Sequence, residues 1–287
     1  MQTVITRRYI SDFGFIFPQA LPYYKNTLMT AISFGLTRDG FVIAADGRTR
    51  LDDETRASAS KELLAKETEF AQKIFSVERT DAHLAFAMAG ALVSNDFQVD
   101  LRNIGQKIAS QISGRSFGAF QAYMSAFANN LAHAIQMEDL SQFPTKICDL
   151  FIGGYYSNAP AWTCISFTHN GTDVIPTPKI SPLPLLYGSL VVASDMYEPS
   201  SAVGNIFSTA LYIPKPQSHF QNNQVLLSSN PSLDEMQRFC VGYIEACASE
   251  LALTLDETIC RIIGGHIHVA EITPSGFKWR IPPKSHV

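Results

Sequence analysis

The stretch Met29–Arg50 reads MTAISFGLTRDGFVIAADGRTR, and it holds two strand patterns. Residues 30–36 alternate partly between apolar and small polar side chains, Arg38-Asp39-Gly40 has turn chemistry, and Phe41 to Ala45 is a continuous apolar run. The spacing predicts a hairpin with Thr30 at the open end of its first arm. In a short-loop hairpin the end of one arm lies beside the start of the other, so Asp46, sixteen residues after Thr30, and Arg48 are expected to face Thr30. Asp46-Gly47 also has a plainer reading, because Asp-Gly is common turn chemistry.

Removal of Met29 would give Thr30 its chemical interest. A free α-amino group has a pKa of about 7.7–8.0, so part of it is unprotonated at neutral pH and can take the proton of its own side-chain hydroxyl. An interior threonine has no such base. Pairing nucleophile and base in one residue requires a cation that holds the amine neutral, carboxylates that orient the groups, and oxyanion donors.

Thr30, the strand pair, Asp46 and Arg48 together resemble the start of a mature proteasome β-type subunit, in which an N-terminal threonine is followed at this spacing by Asp, a small residue and Arg. Later blocks follow the family's order. Residues 72–77, QKIFSV, resemble the strand that presents the family's active-site lysine. Residues 86–90, FAMAG, resemble the strand and glycine whose backbone N–H forms its oxyanion hole. Residues 149–155, DLFIGGY, and 264–270, GGHIHVA, resemble the family's central and late strands. The resemblance implies Thr30 as nucleophile, Lys73 as the ammonium that depresses the amine's pKa, Asp46 as the carboxylate paired with Lys73, and Gly90 as oxyanion donor, with Arg48 part of the opening motif. Ser189, in Tyr187-Gly188-Ser189-Leu190, resembles the glycine–serine turn that supports the amine. Lys73 is placed by its local block, because residues 51–71, rich in Glu, Lys and Ala, lengthen the interval after Arg48 and predict a surface loop or a short helix.

The chain departs from the family pattern in two places. Members often carry an Asp and a Ser just before the paired glycines, whereas Cys260, Arg261, Ile262 and Ile263 fill that stretch here. Asp256, about one helical turn upstream, is the candidate substitute. The bacterial HslV-type branch also differs at this place, and Ile259-Cys260 and His266-Ile267-His268 resemble it more closely. At the front, Met29 stands where self-cleaving members have Gly. Residues 1–28 admit three readings: a segment upstream of the true translation start, a propeptide, or a permanent extension that leaves Thr30 without a free amine. The first is favoured, since the segment's apolar run is broken by Gly14 and ended by Pro18, and its composition suits neither a helix nor a strand. Residues 1–29 are therefore expected to be an extension and residues 30–287 a single domain.

The 287-residue chain has a formal net charge of −4, which does not suggest a nucleic-acid surface. No stretch reaches the roughly 18–20 apolar residues of a membrane span. Five cysteines, odd in number and without CxxC spacing, suggest reduced, buried thiols and a cytoplasmic protein. Cys240 and Cys247 are expected on one face of a helix. His266 and His268 alternate on a predicted strand and would project to one face. No third ligand accompanies them, so they are read as packing or hydrogen-bonding histidines, and neither a metal nor a cofactor is expected.

Helical periodicity predicts helices over Ser94–Ser113 and Ser116–Met137, each opening on a capping serine and joined by Gly114-Arg115. Another is predicted from Ser232 to about Leu251, with Asp234 and Glu235 in its first turn. Residues 213–231 are rich in Pro, Asn, Gln and Ser and predict a loop insertion. This order of strands and helices suggests an α+β fold: a four-layer αββα sandwich of two antiparallel sheets between helical layers, the N-terminal nucleophile hydrolase architecture. The resemblance implies a threonine peptidase acting on peptides or unfolded protein within a homo-oligomeric ring; the residues show neither the subunit number nor an ATPase regulator. Two other readings stay open, a structural ring subunit with a silent site and a non-peptide amidohydrolase, because one fold serves many substrates.

Overall fold

A computed structural model describes residues 30–51, 53–94, 96–179, 183–200 and 211–284, and the N-terminal extension, residues 1–29, lies outside the described residues. The hairpin forms from β1 (Ile32–Leu36) and β2 (Phe41–Ala45), paired antiparallel. Its turn is tied by Thr37, whose Oγ1 donates to Gly40 O at 2.9 Å and accepts the N–H groups of Asp39 and Gly40 at 3.1 Å. The interval after Arg48 folds into two short helices, α1 (Asp53–Ser58) and α2 (Lys61–Leu64), the second capped by Ser60. The chain continues through β3 (Ile74–Arg79), β4 (Ala82–Gly90), α3 (Leu101–Ser113), α4 (Phe120–Gln136), β5 (Lys146–Tyr156), β6 (Ala159–His169) and β7 (Val174–Lys179). It then forms β8 (Leu185–Tyr187), α5 (Leu190–Met196), β9 (Tyr197–Ser200), β10 (Leu211–Pro214), α6 (Leu233–Cys247), α7 (Glu250–Leu255), α8 (Glu257–Cys260), β11 (His268–Thr273) and β12 (Gly276–Ile281).

Two five-stranded antiparallel sheets, in the orders β12-β11-β2-β1-β8 and β3-β4-β5-β6-β7, face one another. Small and aromatic side chains fill the space between them: Phe34, Phe41, Ile43 and Ala45 from the first sheet meet Ala85, Ala87 and Phe151 from the second. Each fully buried Phe or Ile there contributes about 1.5–3 kcal/mol. Helices α3 and α4 cover the outer face of the second sheet through Ile108, Phe127, Leu131 and Ile135. Helix α6 covers the first through Phe239, Tyr243 and Ile244. These layers are the αββα sandwich expected from the sequence.

Several local boundaries differ from the sequence pattern. Helix α3 starts at Leu101 rather than Ser94, and its cap is Asp100, whose side chain accepts the N–H of Arg102. Ser94 instead closes a turn, donating to Asp96 Oδ1 at 2.6 Å and accepting the N–H of Val99 at 2.9 Å, and Phe97 has a left-handed φ of 57° that no helix tolerates. Helix α4 starts at Phe120 after an extended Ala119 without a side-chain cap, so Ser116 is not its start. Ser232 does cap α6, in a full capping box with Glu235, but that helix ends at Cys247. Ser249 caps a separate α7 that contains Leu251. The expected insertion, residues 213–231, is not all loop: it begins in β10, which pairs with β9, and has a 3-10 turn at Gln221–Asn223.

Candidate active site

Strand register brings the sequence-selected residues to one end of the sandwich. Ile32 pairs with both Ala45 and Tyr187, and Ala45 pairs in turn with His268. Continuing each strand one or two residues outward places Thr30, Asp46 and Ser189 together at the edge of the first sheet, with His268 beside them. On the second sheet Lys73 immediately precedes β3 and Gly90 ends β4. Thr30, Arg48, Lys73, Gly90 and Arg102 line one cleft of about 10 Å³, space for a single water at most. Thr30 itself is 2 % exposed.

Asp46 is fully buried and meets four donors. Its Oδ1 accepts the Ala31 N–H and the Lys73 ammonium, both at 2.9 Å, and its Oδ2 accepts the N–H groups of Arg48 at 3.2 Å and Gly264 at 3.1 Å. A buried carboxylate is tolerable only when satisfied in this way. Lys73 Nζ also donates to the Arg48 carbonyl at 2.6 Å. Burial holds the Lys73 pKa below the ordinary lysine range; the Asp46 carboxylate opposes that shift, and the cations Arg102 and Arg48 add to it. The backbone N–H of Lys73 donates to His268 Nε2 at 3.0 Å.

Asp46-Gly47 is not a turn, since the chain runs on to a bridge between Thr49 and Thr68. Gly47 is required by close approach: a Cβ there would lie 2.7 Å from the carbonyl oxygens of Glu69 and His266. Gly90 has φ +117°, and a Cβ would stand 2.6 Å from Ile147 O. No other residue fits this end of β4 without strain. Arg48 lines the cleft, but its guanidinium is engaged elsewhere. Nε meets both carboxylate oxygens of Glu69 at 3.0 Å, and Nη1 donates to the carbonyls of Arg261 at 3.2 Å and Ile263 at 2.9 Å. Arg48 thus fastens the turn before Gly264.

Ser189 caps α5, accepting the N–H of Val192, and its hydroxyl donates to Asp256 Oδ2 at 2.6 Å. Asp256, at the junction of α7 and α8, thus supplies a carboxylate to Ser189. Sequence reading raised Asp256 as the substitute, and the structure brings it into contact. Arg102 was not singled out. It is buried, forks onto Asp100 with contacts of 2.8 and 2.7 Å, and donates to Thr49 Oγ1 at 3.1 Å. Together with Thr49 and Val93 it separates the Thr30 cleft from a wider one of about 530 Å³. Its partner Asp100, two residues upstream, was the available signal.

Of the two histidines expected on a strand, only His268 lies in one. His266 precedes β11 and its Nε2 contacts Pro282 O at 2.8 Å, whereas His268 is buried as the first residue of that strand. Among the described residues no group of three or more His, Cys, Asp or Glu side chains could hold a metal ion. Nor is any helix among them long and apolar enough to cross a membrane. All five cysteines are buried and free, and burial pushes the thiols up, Cys240 and Cys247 to about 12 and Cys260 to about 11.

No protein-family model matches the chain, and no curated protein matches it. Solved structures do. The Gly-1 mutant of Anbu from Hyphomicrobium sp. strain MC1 superposes with a TM-score of 0.50 at 13 % identity, over 88 % of this chain and 86 % of that one. Anbu (ancestral beta-subunit) from Yersinia bercovieri gives 0.49 at 13 % identity, over 89 % and 88 % of the two chains. The Anbu complex from Pseudomonas aeruginosa, described as a helical assembly, gives 0.47 at 14 %, over 89 % and 85 %. The chain has a divergent proteasome- and HslV-like fold, that of the N-terminal nucleophile hydrolases, shared with Anbu at low identity and high coverage.

Proposed function

We propose that residues 30–287 form one proteasome-like threonine hydrolase unit, active when the chain begins at Thr30 and silent when residues precede it. The observation that carries this reading is the buried ion pair of Lys73 and Asp46, held at 2.9 Å at the edge where Thr30 and Gly90 line the same cleft. With the amine free, the Thr30 hydroxyl attacks an amide carbonyl and its own amine takes the proton. The Gly90 N–H serves the developing oxyanion, the protonated α-amine passes its proton to the departing amine as the C–N bond breaks, and water then releases the acyl group from Thr30. Lys73 keeps the amine neutral, Asp46 holds Lys73 in place, and the Ser189–Asp256 pair supports the amine from the other flank. The wider cleft beyond Arg102 offers room for a substrate side chain beside the scissile bond. Peptides or unfolded chains are the substrates and a homo-oligomeric ring in the cytoplasm is the setting that the family resemblance supplies.

A second reading, a structural subunit with a silent site, is favoured by one observation: the cleft at Thr30 has about 10 Å³ of free space in the 287-residue chain. Intact mass and N-terminal sequencing of the natively expressed protein, followed by hydrolysis assays on peptides and small amides, separate the two. A mature chain starting at Thr30 that hydrolyses amides, and loses that activity in Thr30→Ala, supports the enzyme. A chain that keeps its upstream residues and hydrolyses nothing supports the scaffold.

A further inference from the structure

We propose that His268 is a positioning residue for Lys73: its unprotonated Nε2, reaching across the sandwich from β11, fixes the Lys73 backbone so that the ammonium meets Asp46. The inference deepens the reading above and rests on it for its kinetic consequence only. The ladder between β3 and β4 begins at Ile74 and Ala87, so the N–H of Lys73 lies one residue outside the strand. Lys73 is 1 % exposed, and a buried N–H without a partner is costly. His268 Nε2 is the acceptor, at 3.0 Å, and His268 is itself 1 % exposed.

The placement is economical because His268 pairs with Ala45, the residue before Asp46. One side chain therefore ties the lysine's backbone to the strand neighbouring the one that carries its carboxylate partner. Acceptance at Nε2 requires the tautomer protonated at Nδ1, and a hydrogen bond with the His266 backbone occupies the ring as well. The groups facing the imidazole are Lys73 from the second sheet, His266 from its own segment and the uncharged Trp279 ring from β12, 6.0 Å away between centroids. Burial first, and then the Lys73 ammonium, hold the ring neutral. A protonated imidazole would have two donors and nothing to offer the Lys73 N–H.

The test uses the full chain and needs no enzymatic activity. Nitrogen NMR of the His268 ring at neutral pH should show Nε2 unprotonated, and carbon-labelled lysine should report the Lys73 titration. His268→Gln keeps an acceptor near the Nε2 position and should leave the Lys73 midpoint unchanged. His268→Leu removes the acceptor, loosens the ammonium from the Asp46 carboxylate that opposes the effect of burial, and should lower the midpoint further by about one pH unit. A wild-type ring protonated at Nε2, a folded His268→Leu protein with an unmoved Lys73 midpoint, or a His268→Gln protein with a displaced one would each overturn the proposal. If His268→Leu fails to fold, the ring tautomer and the Gln variant still decide. In chains beginning at Thr30, His268→Leu should lower kcat about tenfold with KM little changed, and Gln should restore it. Absence of hydrolysis by the wild-type chain would count against the hydrolase reading alone, leaving the Lys73 titration to judge His268.

Discussion

The two flanks of Thr30 are built on different principles. On one side Asp46 and Lys73 come from strand ends, and a fully buried carboxylate gathers four donors drawn from both sheets and from the turn at Gly264. On the other side Ser189 and Asp256 come from the starts of short helices, joined by a single 2.6 Å hydrogen bond. Strand ends are fixed by ladder register, which resists displacement by whole residues. Helix starts can slide along the chain by a turn and still present a side chain at the same point in space. The second flank is therefore held by one contact between two helix starts, where the first is held by four donors around a buried carboxylate.

Breaking the first flank should cost most. Lys73→Met leaves Asp46 buried without its cation and is expected to destabilise the protein by about 3–5 kcal/mol in urea denaturation. Gly90→Ala comes next, at about 3 kcal/mol, since it forces a Cβ onto Ile147 O at a positive φ; a loss under about 1 kcal/mol would mean that β4 ends more loosely than its register implies. Acid should loosen the same flank through His268. Its pKa falls from an ordinary 6.5 to about 3 in the folded protein, chiefly through burial. Between those values the unfolded chain binds more protons, so stability is full above pH 6.5 and is lost as pH falls, by about 2 kcal/mol at about pH 5. Denaturation across that range should show the slope in wild type and not in His268→Gln. The second flank should respond least: Asp256→Ala is expected to cost about 1–2 kcal/mol by leaving the Ser189 hydroxyl without its acceptor. An Asp256→Ala cost equal to that of Lys73→Met would erase the distinction between the flanks.

Legibility followed the same division. The β1–β2 hairpin, with Asp46 facing its open end, could be read because strands count in fixed steps, whereas Lys73 and Gly90 were picked out by the resemblance of their flanking blocks to the family's strands. Ser94 and Ser116 misled because a serine before an apolar period caps only when the intervening backbone is helical; the left-handed Phe97 and the extended Ala119 prevent that. Arg48 belonged to the opening motif by spacing, yet its guanidinium serves the turn before Gly264 through Glu69 and two carbonyls. Arg102 went unread because a helix-start arginine usually faces water, whereas this one turns inward onto Asp100 and Thr49. The lone pair of His268 toward Lys73 joins residues 195 apart, a distance over which no local pattern reports.

By itself the sequence determined which residue types were available and in what strand phase: a threonine sixteen residues before an aspartate, a lysine and a glycine at the ends of alternating runs, and apolar faces for two sheets. Tertiary structure decided which of them meet. Only when two separately paired sheets stack do Asp46 and Lys73 come within 2.9 Å and does His268 find the Lys73 N–H, and only when α7 and α8 pack over the first sheet does Asp256 reach Ser189. The physical reason is that hydrogen-bond registers act locally along each sheet, while burial acts between sheets: exclusion of water leaves each of these charges and donors dependent on the partner the opposite element supplies.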